Sequence, residues 1–255
     1  MKKANLFYQY YDILYSSKSY REEIETILSI AAKHYPQSLK KILEIGCGTG
    51  SHTKELAQRS GAKIVAIDTD QFMVELATAK VMNKNTENIQ ILRCAIEQME
   101  ETDFNMAIAA FNVITYIPDM NSLQSFFDKL YQSLKLGGLF IFDCWNGIAA
   151  IKDPPQSKNF NKIAEGKNIL CKVISRTDFF NQKTALEYKI QINDINGNII
   201  ESEDFSFEQT LWTPMQIEYC LKESGLEVIQ CCKSFEPTTK ASDKDWKIMY
   251  ICKKI

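Results

Sequence analysis

Gly46, Gly48 and Gly50 stand at alternate positions between a short apolar run and the start of a helical pattern. The run, Ile42, Leu43 and Ile45, suits a strand buried on both faces of a parallel sheet. Glycine tolerates φ > 0 and carries no side chain, so this spacing lets bare backbone come close to a ligand. Ser51 reads as an N-cap, with Glu55, Leu56 and Ala57 continuing a helix. Strand, glycine turn and helix start make a backbone cradle at the carboxyl end of a strand, where open α/β sheets bind their ligands. A second strand, 63–68, ends in Asp68, whose carboxylate can accept both hydroxyls of a ribose. Together these residues offer nucleoside binding. A dinucleotide fingerprint would place a third glycine where Ser51 stands, which weighs against nicotinamide or flavin chemistry.

The remaining elements must hold these groups in place. Residues 5–35 read as helical and tyrosine-rich, with Tyr8, Tyr10, Tyr11, Tyr15 and Tyr20 ahead of Ile24, Ile27, Leu28 and Ala31 at helical spacing, and Pro36 closes the segment. Helices are expected at 51–60, 70–83 and 120–135, and strands at 88–93, at 104–110 continuing to Ile117, and at 139–144. From Trp145 the pattern changes. Residues 146–168, with Pro154 and Pro155, read as a loop over the site. Three β-like stretches follow at 169–180, 184–195 and 199–211, with Asn196-Gly197 as a hairpin turn signal. Thr213 as N-cap and Pro214 at the first position open a last helix, and strands at 226–232 and 245–252 end the chain.

Composition sets bounds. The 255 residues are 45% hydrophobic and 24% charged, which fits one large globular unit with an elaboration. A net charge of -2 gives no general attraction for phosphate backbones, so nucleic acid is not expected as a partner. No apolar run reaches the ~18 residues of a membrane span, and Met1-Lys2-Lys3-Ala4-Asn5 lacks the apolar core of a signal peptide. No membrane partner is expected, and a cytoplasmic location is. The eight cysteines form no C-x-x-C pair and read as free thiols. With only His34 and His52 available, no metal site is expected.

The stretch Glu44-Ile45-Gly46-Cys47-Gly48-Thr49-Gly50 resembles motif I of the class I S-adenosylmethionine-dependent methyltransferases. Asp68, and the pattern Lys135-x-Gly137-Gly138 between an amphipathic helix and an apolar strand, are similar to that family in order and spacing. The resemblance implies an α/β fold: a Rossmann-like, seven-stranded, mostly parallel sheet with helices on both faces, an N-terminal helical lid and an inserted antiparallel meander. The corresponding domains are a lid at 1–36, a core at 37–145 and 213–255, and an insertion at 146–212 that caps the acceptor or contacts a second subunit. It implies S-adenosyl-L-methionine as cofactor, held by Tyr11, Glu44, Gly46, Cys47, Gly48, Asp68, Thr69, Ala95, Ile96, Glu97 and Phe111. Ala95 stands where the family often carries an Asp for the adenine amino group.

Methyl transfer is a displacement at a carbon already activated by a positive sulfur, so the protein mainly aligns the acceptor. Alignment supplies up to roughly 7–11 kcal/mol, against the about 10²–10⁴-fold of a general base. Tyr15, Tyr116, Asn112 and Trp145 are the catalytic candidates, with Asp143 and Asn146 nearby. The stretch Phe111-Asn112-Val113-Ile114-Thr115-Tyr116 is similar in position to one in amino-sugar N-methyltransferases, which have His at the place of Tyr116. The expected function is methyl transfer to N or O of a small polar acceptor such as a sugar or amino sugar. The alternatives are another metabolite, a protein residue, or a catalytically silent cofactor-binding scaffold. A homodimer through the inserted sheet is expected.

Overall fold

The computed structural model describes residues 6–81 and 87–255. The chain runs α1 (Leu6–Leu14), α2 (Tyr20–His34), β1 (Lys41–Ile45), α3 (Ser51–Ser60), β2 (Lys63–Asp68), α4 (Gln71–Val81), β3 (Ile89–Arg93), β4 (Phe104–Ala109), α5 (Met120–Ser133) and β5 (Leu134–Trp145). It continues through α6 (Gly147–Lys152), β6 (Lys158–Ala164), β7 (Lys167–Asp178), β8 (Lys183–Asn193), β9 (Ile199–Thr210), α7 (Pro214–Glu223), β10 (Leu226–Lys233), β11 (Glu236–Lys240) and β12 (Lys247–Lys254).

Two sheets result. The larger has the order β3-β2-β1-β4-β5-β12-β10-β11, parallel from β3 to β5 and antiparallel beyond. β1, β2 and β4 are apolar runs because both of their faces are covered. On one face Phe140, Phe142 and Tyr250 pack under α5, with its Phe127, and α7, and Phe140 and Phe142 are stacked at 4.7 Å. The other face packs on α2, α3 and α4. The smaller sheet, β6-β7-β8-β9, is the inserted meander, and its inner face packs on α1. The insertion leaves and returns at one point: the Gly147 N–H donates to the Trp212 carbonyl at 2.9 Å, and a Cβ at Gly147 would lie 2.4 Å from the Leu211 oxygen.

The expected class, an α/β core with a separate antiparallel meander, is what the chain adopts. Its details differ in five places. The strand expected to continue from 104–110 to Ile117 ends at Ala109, because Phe111 and Asn112 turn the chain in the left-handed region and Val113–Tyr116 form a 3₁₀ turn. The main sheet has eight strands rather than seven, because the polar segment Glu236-Pro237-Thr238-Thr239-Lys240 adds an edge strand that no apolar pattern marks. The insertion has four strands and a short helix, since β6 and α6 lie where a loop was expected, and β6 pairs with β7 along its whole length despite its polar sequence. The tyrosine-rich leader is two helices, separated at residues 15–19. The N-cap of α3 is Gly50 in the left-handed region (φ 77°), and Ser51 is the first helical residue. The expected helix at 70–83 is α4, and its last two positions fall outside the described residues. Thr213 caps α7 as expected, accepting from the Gln216 N–H with Pro214 next. Among the described residues no helix is long and apolar enough to cross a membrane.

Candidate active site

At the carboxyl end of β1 the glycine loop turns through Gly46 (φ 68°) and Gly48 (φ 55°). The two glycines are needed for different reasons. A Cβ on Gly46 would lie 2.6 Å from Val113 Cγ2, whereas one on Gly48 would meet nothing within 4 Å and point into open space. The Cys47 N–H donates to the Ile67 carbonyl at 3.0 Å, and the Gly48 N–H to Asp68 Oδ2 at 2.8 Å, so the loop is fastened to the end of β2. Asp68 Oδ1 accepts from the Asp70 N–H at 2.9 Å. Each carboxylate oxygen keeps lone-pair capacity for a further donor such as a hydroxyl. Burial raises the Asp68 pKa, and the backbone amides of Asp70 and Gly48 pull against it. Beneath the loop Glu44 is 2% exposed and Oε2 has no partner among the described residues. Burial pushes its carboxyl up to about 8. An unpaired buried carboxylate is costly unless a cation or donor meets it.

The end of β4 is strained. Phe111 (φ 75°) and Asn112 (φ 64°) are consecutive non-glycine residues in the left-handed region, a conformation that costs of order 1–3 kcal/mol per residue. Asp143, from the neighbouring β5, holds the turn: its Oδ1 accepts from the Phe111 N–H and, at 3.4 Å, from the Asn112 N–H. Asn112 itself is 6% exposed and its Oδ1 has no partner among the described residues. The turn thus holds one buried, unmet hydrogen-bond acceptor next to the cavity that Asn112 lines.

Aromatic rings close the space above. Tyr11 and Tyr15 of the leader lie 4.8 Å apart, Tyr15 meets Phe111 edge-on at 5.2 Å, and Tyr116 meets Phe207 of β9 at 5.3 Å. Phe7, Tyr188 and Phe205 continue the wall. Burial raises the phenol pKa of Tyr11, Tyr15 and Tyr116. Tyr116 is 52% exposed yet desolvated, because its open surface faces the cavity. The cavity is about 1300 Å³, beyond the ~300–1000 Å³ of a typical single-ligand site.

Charges tie the leader down. Asp12 pairs with Lys80 of α4 at 2.6 Å, and Thr49 of the glycine loop donates to Asp12 at 2.7 Å. Lys80 also donates to Thr49 at 2.9 Å and Ser51 at 2.7 Å. His52 Nε2 lies 2.8 Å from Glu23 Oε2, and Glu23 is bridged to Lys18. Burial alone would raise the Glu23 pKa, but the His52 and Lys18 contacts outweigh it and the net shift is downward.

All four catalytic candidates, Tyr15, Tyr116, Asn112 and Trp145, line this cavity, and so do the cofactor candidates apart from Glu44, which lies buried beneath. Among the adenine candidates, the Ala95 N–H is already donated to Gln98 Oε1 at 3.0 Å, which leaves Ile96 and Glu97. Asn146 is spent on structure: its amide accepts from the Ile148 N–H and donates to the Ser242 carbonyl. Sequence reasoning missed the parts played by Glu23, Lys80, Tyr188, Phe205 and Phe207. The aromatics had a signal, since Phe205 and Phe207 alternate along one face of a strand; the charged pairs, far apart in sequence, had none.

Residues 42–138, which run from β1 through the glycine loop into the first residues of β5, match the family model for a methyltransferase domain. Over these residues the chain is similar to the methyltransferase domain. It is 27% identical over 178 residues to the malonyl-[acyl-carrier protein] O-methyltransferase of Bacillus cereus, covering 67% of this chain and 61% of that one. Its fold is similar to that of an S-adenosylmethionine-dependent methyltransferase from Clostridium acetobutylicum, with a TM-score of 0.81, 19% identity and 97% of each chain covered. It also resembles CalS10, an amino pentose methyltransferase from Micromonospora echinaspora: TM-score 0.76, 16% identity, 99% of this chain and 100% of that one. The chain spans less than two thirds of the length of the curated relatives it matches.

The residues of the cavity fit S-adenosylmethionine, the cofactor that the matched methyltransferase domain implies. Gly48 leaves open the space that a Cβ would fill, Asp68 has capacity for hydroxyl donors, and Glu44, whose Oε2 has no partner among the described residues, lies below the same loop.

Proposed function

We propose that this chain transfers a methyl group to N or O of a small polar acceptor, in the class of sugars or amino sugars. The observation that carries the proposal is one cavity, large enough for two ligands, lined both by the Gly46–Gly48 loop with Asp68 and by Tyr15, Tyr116 and Asn112. S-adenosylmethionine, when bound, supplies an electrophilic methyl on its sulfonium.

The residues of the chain do the rest. Gly46, Cys47 and Gly48, with Tyr11, Asp68, Thr69, Ile96, Glu97 and Phe111, hold the cofactor, while Glu44 beneath supports the loop and receives a cationic group. Asn112 Oδ1 accepts an N–H or O–H from the acceptor and so turns its lone pair inward. Tyr15 and Tyr116 orient it as hydrogen-bond donors, since burial keeps both phenols protonated at neutral pH and a protonated phenol is no base. Trp145 forms the side wall. Alignment and exclusion of water therefore supply the rate, and an amine acceptor enters already deprotonated.

Residues 1–36 serve as lid and 146–212 as acceptor cap on a core of 37–145 and 213–255. β6 and β9, the edges of the inserted sheet, offer pairing to a second copy, which light scattering tests. Eight free thiols fit a reducing, cytoplasmic setting. Incubation with methyl-labelled cofactor and a panel of free, phosphorylated and nucleotide-linked amino sugars tests the function: label transfer to one class is expected, and no transfer to any sugar overturns the acceptor assignment.

A further inference from the structure

The cavity is electrically polarised. Asp68, Asp70 and Glu97 line it beside the glycine loop, with Glu23 and Asp153 elsewhere on the wall, while the lysines that line it, Lys18, Lys158 and Lys247, lie around Phe111 and Phe160. The Lys18 ammonium lies 4.4 Å from the centre of the Phe111 ring, and the Lys247 ammonium lies 5.0 Å from the same ring. Lys158 stands 5.0 Å over Phe160. Glu23 pairs with Lys18; Asp143 Oδ1 is taken by the two amides of the strained turn, its Oδ2 has no hydrogen-bond partner among the described residues, and its charge acts on Lys247 and Lys18 from beyond ion-pair distance. Among the described residues, Lys158 and Lys247 have no carboxylate within ion-pair distance.

These two lysines come from different parts of the fold. Lys247 opens β12 and pairs in register with Trp145, while Lys158 opens β6 of the insertion. Burial lowers the Lys158 pKa and the charge on Lys247 lowers it further, so the two cations repel each other. Lys158 is exposed and Lys247 half-buried at the mouth of the cavity, and both ammonium groups lie over rings that line it. Like charges facing one partly dry space are unfavourable by themselves, and an anion between them removes the repulsion.

We infer that Lys158 and Lys247, backed by Lys18, form a subsite for an anionic group, phosphate or carboxylate, carried by the acceptor away from the atom that receives the methyl. The term acceptor rests on the methyl-transfer reading above; the anion site itself does not. Because the subsite bridges core and insertion, an anionic acceptor also draws the cap onto the core.

Calorimetric titration of the full chain, saturated with S-adenosylhomocysteine, tests it with two probes, inorganic pyrophosphate and glutarate. At least one binds with one-to-one stoichiometry, weakens as salt is raised, and loses affinity at least tenfold in the Lys158→Ala/Lys247→Ala double variant. Lys158→Arg/Lys247→Arg keeps it within about threefold. Pyrophosphate alone assigns a phosphorylated acceptor, and glutarate alone a carboxylated one. No binding of either probe, or binding unchanged in the double alanine variant, overturns the inference. The affinity for S-adenosylhomocysteine and the melting temperature of the double variant stay at wild-type values if the subsite is separate. Failure of the wild type to bind S-adenosylhomocysteine would contradict the methyl-transfer reading while lysine-dependent anion binding still upheld the site.

Discussion

Asp12 of α1 and Lys80 of α4 are paired at 2.6 Å, with Thr49 of the glycine loop hydrogen-bonded to both. This contact latches the leader over the cofactor end of the cavity. Because Asp12 is about half exposed, the pair contributes little to global stability, under about 1 kcal/mol. Its effect falls on closure. Asp12→Ala should lower the melting temperature slightly and weaken cofactor binding about three- to tenfold, the loss of one or two hydrogen bonds. A variant with wild-type affinity would show that the latch does not act on the site.

Gly46 and Gly48 should separate under substitution. Gly46→Ala meets Val113 at 2.6 Å and sits at φ 68°, so it costs roughly 2–4 kcal/mol of stability from overpacking and backbone strain. Gly48→Ala costs only the strain, about 1–2 kcal/mol, but places a methyl in the open space above the loop. Denaturation and cofactor titration together check this. Gly46→Ala is mainly unstable, while Gly48→Ala is folded and binds at least tenfold more weakly.

Glu44 predicts a pH dependence. Its folded pKa of about 8 lies above the ordinary value of 4.5, so the folded state holds the proton more tightly than the unfolded one. The stability this contributes is complete below about 4.5 and is lost as pH rises through about 8. Denaturant unfolding across that window should show wild-type stability falling relative to Glu44→Gln. Parallel curves would contradict a carboxyl that burial holds protonated.

Asp143 anchors the strained turn that presents Asn112. Asp143→Ala leaves the Phe111 and Asn112 amides without their acceptor and releases the left-handed pair, a loss of about 1–3 kcal/mol for each unsatisfied buried group. Asp143→Asn keeps an acceptor oxygen and should recover most of that stability. If Asn112 aligns the acceptor, kcat falls in Asn112→Ala by about tenfold or more while cofactor affinity is kept.

Much of this was legible in sequence, for local reasons. The glycine loop, Asp68 and the buried strands announce themselves through neighbours and periodicity, and Thr213-Pro214 marks its helix start with the chemistry of a single turn. The edge strands β6 and β11 escaped because their pairing is by backbone and their side chains are polar. Ser51 looked like a cap by residue type, but the loop needs its left-handed turn at Gly50, one position earlier. The Asp12–Lys80 and Glu23–His52 pairs join residues 68 and 29 positions apart, and only the folded chain brings them together.

The central claim is that the loop at Gly46–Gly48 and the Asp68 carboxylate grip an adenosyl group. Titration of S-adenosylhomocysteine into wild type and Asp68→Ala, with melting temperatures taken alongside, tests it directly. The account predicts one-to-one binding to the wild type and at least a tenfold loss in a folded Asp68→Ala. A wild type that does not bind, or an Asp68→Ala variant that binds as well as the wild type, would contradict it.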